Sequence, residues 1–207
     1  MNGIALLFAL VMWAGPLDRF TGHYVLENAH EMGSELVLKP DGEFEYTLAY
    51  GAADYMATGK WHVKNDTVIL DTKMPEGPPL KILESTMERT PDVRIWIKGR
   101  NGRPIPNLDV ELKSAKGEAT ARTDSDGMAL FPATNGVKSA VVHITVYHYD
   151  TPPLVLNPAH NTFTLEINGD FITAVPFKGE VLRAKGDTLE MFYWDKEKKT
   201  PMVYRKQ

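Results

Sequence analysis

"KPDGEFEYTLAYGAADYMATGKWHVKNDTVIL", residues 39–70, decides the fold. Within it Phe44, Tyr46, Leu48 and Tyr50 alternate with Glu43, Glu45, Thr47 and Ala49. That is the period of two expected of a strand with one buried face, and the buried face is the aromatic one. Upstream, "KPDG" (39–42) is a turn: Pro40 presets φ, and Gly42 can take the positive φ that folds the strand back onto "ELVL" (35–38). Downstream, "GKWHV" (59–63) and "TVILDT" (67–72) flank Asn65 and Asp66, residues that tolerate the left-handed backbone of a tight hairpin. The stretch therefore predicts an antiparallel meander of four strands.

The same grammar returns near the C-terminus. "NGDF" (168–171) echoes "DGEF" (41–44), and "KGDTLEM" (185–191) echoes "KNDTVIL" (64–70). Two hairpin-rich halves of one antiparallel sheet leave exposed edges unless they meet, and closure into a barrel removes them. Between the halves, Arg94 to Tyr147 reads as short strands separated by Gly, Pro and Asn turns, the spacing of a small β-sandwich. "PEGPP" (75–79) and "DTPPL" (150–154) bracket it, and proline-rich flanks mark places where few contacts cross. The expected architecture is all-β: a small antiparallel barrel (17–90 and 151–207) interrupted by an inserted sandwich (91–150).

Two family resemblances follow from these motifs. "NGRPIPNLDVEL" (101–112) followed by "ARTDSDGMALFP" (121–132) resembles the carboxypeptidase-regulatory-like, transthyretin-like sandwich, with its Gly-x-Pro turn, apolar strand, Thr-Asp-x-x-Gly turn and second apolar strand. The flanking parts resemble bacterial lipocalin-like small barrels of envelope proteins. Gly22-x-Tyr24, Asp41-Gly42-x-Phe44 and Gly59-x-Trp61 match that pattern in order. The resemblance implies a binder, sensor or carrier in place of an enzyme. Envelope relatives that carry a Cys pair or an acylated Cys find no counterpart here.

Composition narrows the function classes. With 43% hydrophobic and 24% charged residues the chain is an ordinary globular one, and its formal charge is −4. No run of Lys and Arg interleaved with aromatic residues offers a phosphate backbone a footprint, so a nucleic-acid partner is not expected. The absence of cysteine excludes disulfides, thiolate zinc sites, Cys nucleophiles and lipid anchoring through Cys. The apolar run from Ile4 to Ala14 is too short to span a bilayer as a helix and suits the core of an export signal over residues 1–16. It also reads as a buried first strand or helix. On the first reading the mature chain begins near Gly15 to Leu17 and is periplasmic or secreted.

Candidate chemistry is sparse. No nucleophile elbow, paired acid and base or phosphate-binding glycine loop is present, so catalysis is not expected. "TDSDG" (123–127) opens like a calcium loop, but the twelfth position is Asn135 where a Glu is needed, and a tight turn accounts for it. The histidines are scattered. His148 and Asp150 would share a strand face, and His23, His30 and His62 could approach one another, but neither group makes a metal site. No cofactor or metal is expected. What remains is "YGAADYMATG" (50–59), read as a loop between strands, where an aromatic rim with one carboxylate could grip a small amphiphile. Phe44, Tyr46, Tyr50, Asp54, Tyr55 and Trp61 are the candidate ligand-binding residues. The first three-dimensional question is whether these rings line a cup or fill it, since side chains of this size can fill a small barrel. The leading expectation is a non-catalytic exported protein that binds a small hydrophobic or amphipathic ligand in or at the rim of the barrel. The alternative is a structural or protein-interaction module that meets an envelope partner through an edge strand of the sandwich.

Overall fold

The computed structural model describes residues 19–195, 197 and 199–207; the expected export segment, residues 1–16, lies outside them. The protein is all-β. Along the chain run β1 (Gly22–Leu26), β2 (Met32–Leu38), β3 (Glu43–Tyr50), β4 (Ala53–Lys64) and β5 (Thr67–Thr72). Then come β6 (Leu80–Thr86), β7 (Val93–Gly99), β8 (Asp109–Ser114), β9 (Gly117–Arg122), β10 (Met128–Phe131) and β11 (Val137–Ile144). A 3₁₀ turn (Thr145–Tyr147) leads to β12 (Tyr149–Asp150), β13 (Leu154–Val155), β14 (Thr162–Ile167) and the short helix α1 (Gly169–Thr173). The chain ends with β15 (Lys178–Lys185), β16 (Thr188–Met191) and β17 (Met202–Lys206). It divides into two compact units. One holds the residues up to Leu48, Ala57–Lys73 and Pro176–Gln207; the other holds Ala49–Met56 and Met74–Val175.

The first unit carries a closed eight-stranded antiparallel barrel in the order β1-β17-β16-β15-β5-β4-β3-β2. The meander read from residues 39–70 is its β2 to β5 portion. Asn65 and Asp66 both take positive φ in the β4–β5 turn, as a tight hairpin with right-handed strand twist requires. Gly42 sits at φ 78° and donates its N–H to the Lys39 carbonyl, closing the "KPDG" turn. The two halves meet where β5 pairs β15, with Val68 opposite Leu182, and β17 closes the ring against β1, with Tyr24 opposite Lys206.

The second unit is a β-sandwich. One sheet runs β10-β7-β14-β6, with β14 parallel to β7 and antiparallel to β6. The other runs β9-β8-β11, with the two short strands β12 and β13 both pairing the far side of β11. Alternate residues of β7 (Val93, Ile95, Ile97), β14 (Phe163, Leu165, Ile167), β8 (Val110, Leu112) and β11 (Ala140, Val142, Ile144) turn inward to make its core.

This unit is larger than the 91–150 expected, because β6 and β14 belong to its sheet. "PEGPP" does sit at the junction, but "DTPPL" lies inside the sandwich. Its prolines interrupt an edge strand between β12 and β13, where a missing N–H costs no ladder bond. The "NGDF" echo also departs from expectation. "KGDT" forms the β15–β16 hairpin, but "NGDF" starts α1 after a sandwich strand, with Asn168 buried and its Nδ2 donating to the Glu76 carbonyl.

One barrel position admits no side chain. A Cβ at Gly59 would lie 2.0 Å from the Asp71 carbonyl oxygen and 2.9 Å from the Phe44 ring. The obstacle is partly backbone, so a rotamer change cannot relieve it. Gly59→Ala is expected to destabilise the protein by about 1–3 kcal/mol, the range for overpacking. Chemical denaturation of the variant checks this, and an unchanged midpoint would contradict the packing described.

Candidate functional site

The barrel interior is occupied by its own side chains. Phe44, Tyr46, Phe177 and Tyr204 are each at most 1% exposed. Tyr46 packs edge-on against Phe177 with ring centroids 5.1 Å apart and stands 6.4 Å from Tyr204. The hydroxyls at this depth are satisfied. Trp194 Nε1 donates to the Tyr46 hydroxyl (3.0 Å), Ser34 Oγ donates to the Thr47 carbonyl and stands 2.8 Å from the Tyr204 hydroxyl, and the two phenol oxygens lie 3.4 Å apart. Burial pushes the phenol pKa of both Tyr46 and Tyr204 up, because a phenolate there would lose its hydration. Trp61 is buried too. Its backbone N–H donates to the Gly42 carbonyl and its indole Nε1 to the Lys39 carbonyl, so it clamps the turn that launches β3.

The other three candidate ligand residues fall in the sandwich unit. "YGAADYMATG" is not a loop: Gly51 and Ala52 make a tight turn and β4 begins at Ala53. Tyr50, which the alternation placed on the buried face, is 55% exposed. Asp54 is exposed, and Tyr55 is half-buried with its ring edge-on to Tyr147 at 5.6 Å. Met56 accepts the Val175 N–H and bridges Ala174. The six candidates thus divide: Phe44, Tyr46 and Trp61 belong to one unit, and Tyr50, Asp54 and Tyr55 to the other.

A better-formed recess lies in the sandwich. It is a cleft of about 460 Å³ lined by three turns, 87–93, 133–136 and 158–161, together with Lys116 from the β8–β9 hairpin. Asn161, 6% exposed, builds one wall. Its Nδ2 donates to the carbonyls of Glu88 and Thr90, and its Oδ1 accepts the Glu88 N–H, so one amide holds the whole segment before β7. Opposite, the Ala115 N–H donates to the Gly136 carbonyl and Lys116 Nζ to the Ala133 carbonyl, fixing the hairpin against the 133–136 turn. Gly136 takes a φ of 61°, and a Cβ there would meet that of Ala115 at 2.9 Å. Met87, Pro91, Ala133, Pro158 and Ala159 supply apolar surface, and Thr90, Thr134, Asn135 and His160 supply polar groups.

His160 is positioned by local chemistry. Pro158 stands second in a turn closed by the His160 N–H on the Asn157 carbonyl, and Asn157 Oδ1 accepts the Ala159 N–H. That bond orients the Asn157 amide so that its Nδ2 faces His160 Nε2 at 3.5 Å. On the other side of the ring, Nδ1 lies 2.8 Å from Ser85 Oγ.

Among the described residues no group of three His, Asp or Glu side chains is placed to hold a metal ion. "TDSDG" is a turn in which Asp124 Oδ1 accepts the N–H groups of Asp126 and Met128. The expectation that His148 and Asp150 share a strand face is overturned. β11 ends at Ile144, His148 follows the 3₁₀ turn in a left-handed conformation, and the partner of Asp150 is His143, at 2.7 Å. His23 contacts Glu35 at 3.0 Å. Among the described residues no helix is long and apolar enough to cross a membrane.

Sequence reasoning missed the cleft because each of its parts reads as punctuation. "NPAH" (157–160), "ATNG" (133–136) and the "AKG" hairpin turn (115–117) are ordinary turn sequences, and only the sandwich brings them together. A faint signal was the run His160-Asn161 at the start of a strand, two polar side chains where a loop should hand over to apolar residues.

Two outcomes follow. Asn161→Ala strands the buried groups of the 88–90 segment and is expected to cost about 1–3 kcal/mol, measured by denaturant unfolding. Tyr46 and Tyr204 give an alkaline signature. Their folded pKa values lie above the value of 10.0 for an unperturbed phenol, so the stability they contribute is complete below pH 10 and is lost as the pH rises beyond it, where only the unfolded chain ionises. Tyrosinate absorbance of the native protein should therefore rise for the exposed rings first, with the buried pair titrating only as the fold is lost; a smooth, full titration with the fold intact would contradict this. No protein-family model, curated protein or solved structure matches this chain, so its function is argued from geometry.

Proposed function

We propose that the chain is an exported, non-catalytic binding protein, periplasmic or secreted, and that it holds a small amphipathic molecule in the sandwich cleft and not inside the barrel. One contrast carries the reading. The barrel's inward positions are taken by Phe44, Tyr46, Phe177 and Tyr204, whereas the cleft offers about 460 Å³ between apolar walls and a few polar groups. That size and mixture suit a small ligand. Export is supported by the apolar run from Ile4 to Ala14. The barrel then serves as a scaffold.

A second reading has its own observation. β6 is an edge strand of its sheet, and Leu83 and Met87 stand 50% and 68% exposed on or just after it. Unpaired N–H and C=O groups beside apolar side chains suit strand addition by an extended segment of an envelope partner.

Titration of isotope-labelled protein with 1-hexanol separates the sites. Saturable amide shifts are expected in 87–93, 133–136 and 158–161, with the amides of Phe44, Tyr46, Phe177 and Tyr204 unmoved. Shifts centred on the barrel residues would overturn the assignment of the cleft.

A further inference from the structure

We infer that the cleft selects a carboxylate: its ligand is a short apolar group ending in a free carboxyl, with Lys116 as the residue that reads the charge. The inference rests on the cleft being the binding site and adds the chemistry of what enters it.

The lining is unusual for an acidic chain. Asp and Glu together number 27 against 23 Lys and Arg, yet among the described residues no carboxylate lines the cleft, while one ammonium and one imidazole do. The acids bonded to the segments around the cleft have partners of their own: Asp92 Oδ1 accepts the Ala133 N–H, its Oδ2 accepts from Thr90 Oγ1, and Glu88 Oε2 accepts from Arg94. Among the described residues, Lys116 therefore has no carboxylate partner in the cleft. Its Nζ donates one N–H to the Ala133 carbonyl, which holds the ammonium at the wall and leaves two further N–H groups for an acceptor.

The barrel wall provides a contrast. A groove there of about 300 Å³ is lined by Lys39, Lys60 and Lys73, but Glu45 and Glu43 stand in it and pair with Lys39 and Lys60. A groove that supplies its own counter-charges has little to offer an anion. The sandwich cleft lacks that compensation, so an incoming carboxylate would gain a charge-assisted hydrogen bond while its apolar part covers Met87, Pro91 and Pro158. A cationic amphiphile would meet Lys116 as a like charge and be rejected.

Two sources share this chemistry, a small free acid and the C-terminus of a peptide, and one experiment covers both. Amide shifts of labelled protein are followed with hexanoate, 1-hexanol, hexylamine, and the tripeptide acetyl-Ala-Ala-Leu as free acid and as amide. The expected order places hexanoate above 1-hexanol above hexylamine, and the free tripeptide above its amide. Lys116→Gln should weaken hexanoate by about threefold to tenfold, the worth of one partly exposed charge-assisted bond, and leave 1-hexanol unchanged. Lys116→Arg, which keeps the charge, should restore most of the loss. A tripeptide acid that outbinds hexanoate identifies a chain end; the reverse identifies a small acid, and either supports the inference. Equal binding of hexanoate and 1-hexanol at the cleft overturns carboxylate selection and leaves the binding site standing. Absence of cleft shifts with every probe overturns both.

Discussion

The barrel depends on keeping two phenol hydroxyls dry and satisfied inside a ring of eight strands. Tyr46 and Tyr204 are large enough to reach the middle of so small a barrel, and burying them removes much apolar surface from water. Each hydroxyl, left unpaired, would take back a good part of that gain. Ser34 on β2, itself bonded to the Thr47 carbonyl on β3, meets the Tyr204 hydroxyl, and Trp194 after β16 meets that of Tyr46. A bound molecule at that depth would have to displace a ring and break the network.

On the proposed reading, binding falls to the sandwich. In the sandwich the two sheets bury continuous aliphatic strips, and the turns at one end are pinned by a few side chains, chiefly Asn161 and Lys116. Pinned turns on a rigid sheet are where a binding site can form without loss of stability. The cleft is the product of two turn families held apart by bonds made behind them.

Much of the architecture was legible in residues 39–70, because alternation and turn chemistry are local. Gly42, Asn65 and Asp66 each occupy the backbone conformation their sequence context requires. Tyr50 was misread for a physical reason: alternation assigns a face but not where a strand leaves the covered part of its sheet, and Tyr50 stands at the β3 end beside the turn. The prolines of "DTPPL" were misread because proline marks both a linker and an edge strand, and sequence alone does not separate the two. The filling of the barrel was suggested by the size of its rings, but the partners of the Tyr46 hydroxyl, Trp194 and Tyr204, lie too far along the chain to be inferred from spacing. The cleft was invisible for the same reason, since Lys116, Ala133 and His160 meet only through sheet topology.

The central claim is that the barrel is a packed scaffold with no room for a ligand. A crystal of the protein pressurised with xenon, which enters dry apolar cavities, tests it most directly. The account predicts no xenon among Phe44, Tyr46, Phe177 and Tyr204, with the four rings unmoved. A xenon atom ordered between those rings would mean that the barrel holds a real cavity, and the assignment of binding to the sandwich would have to be withdrawn.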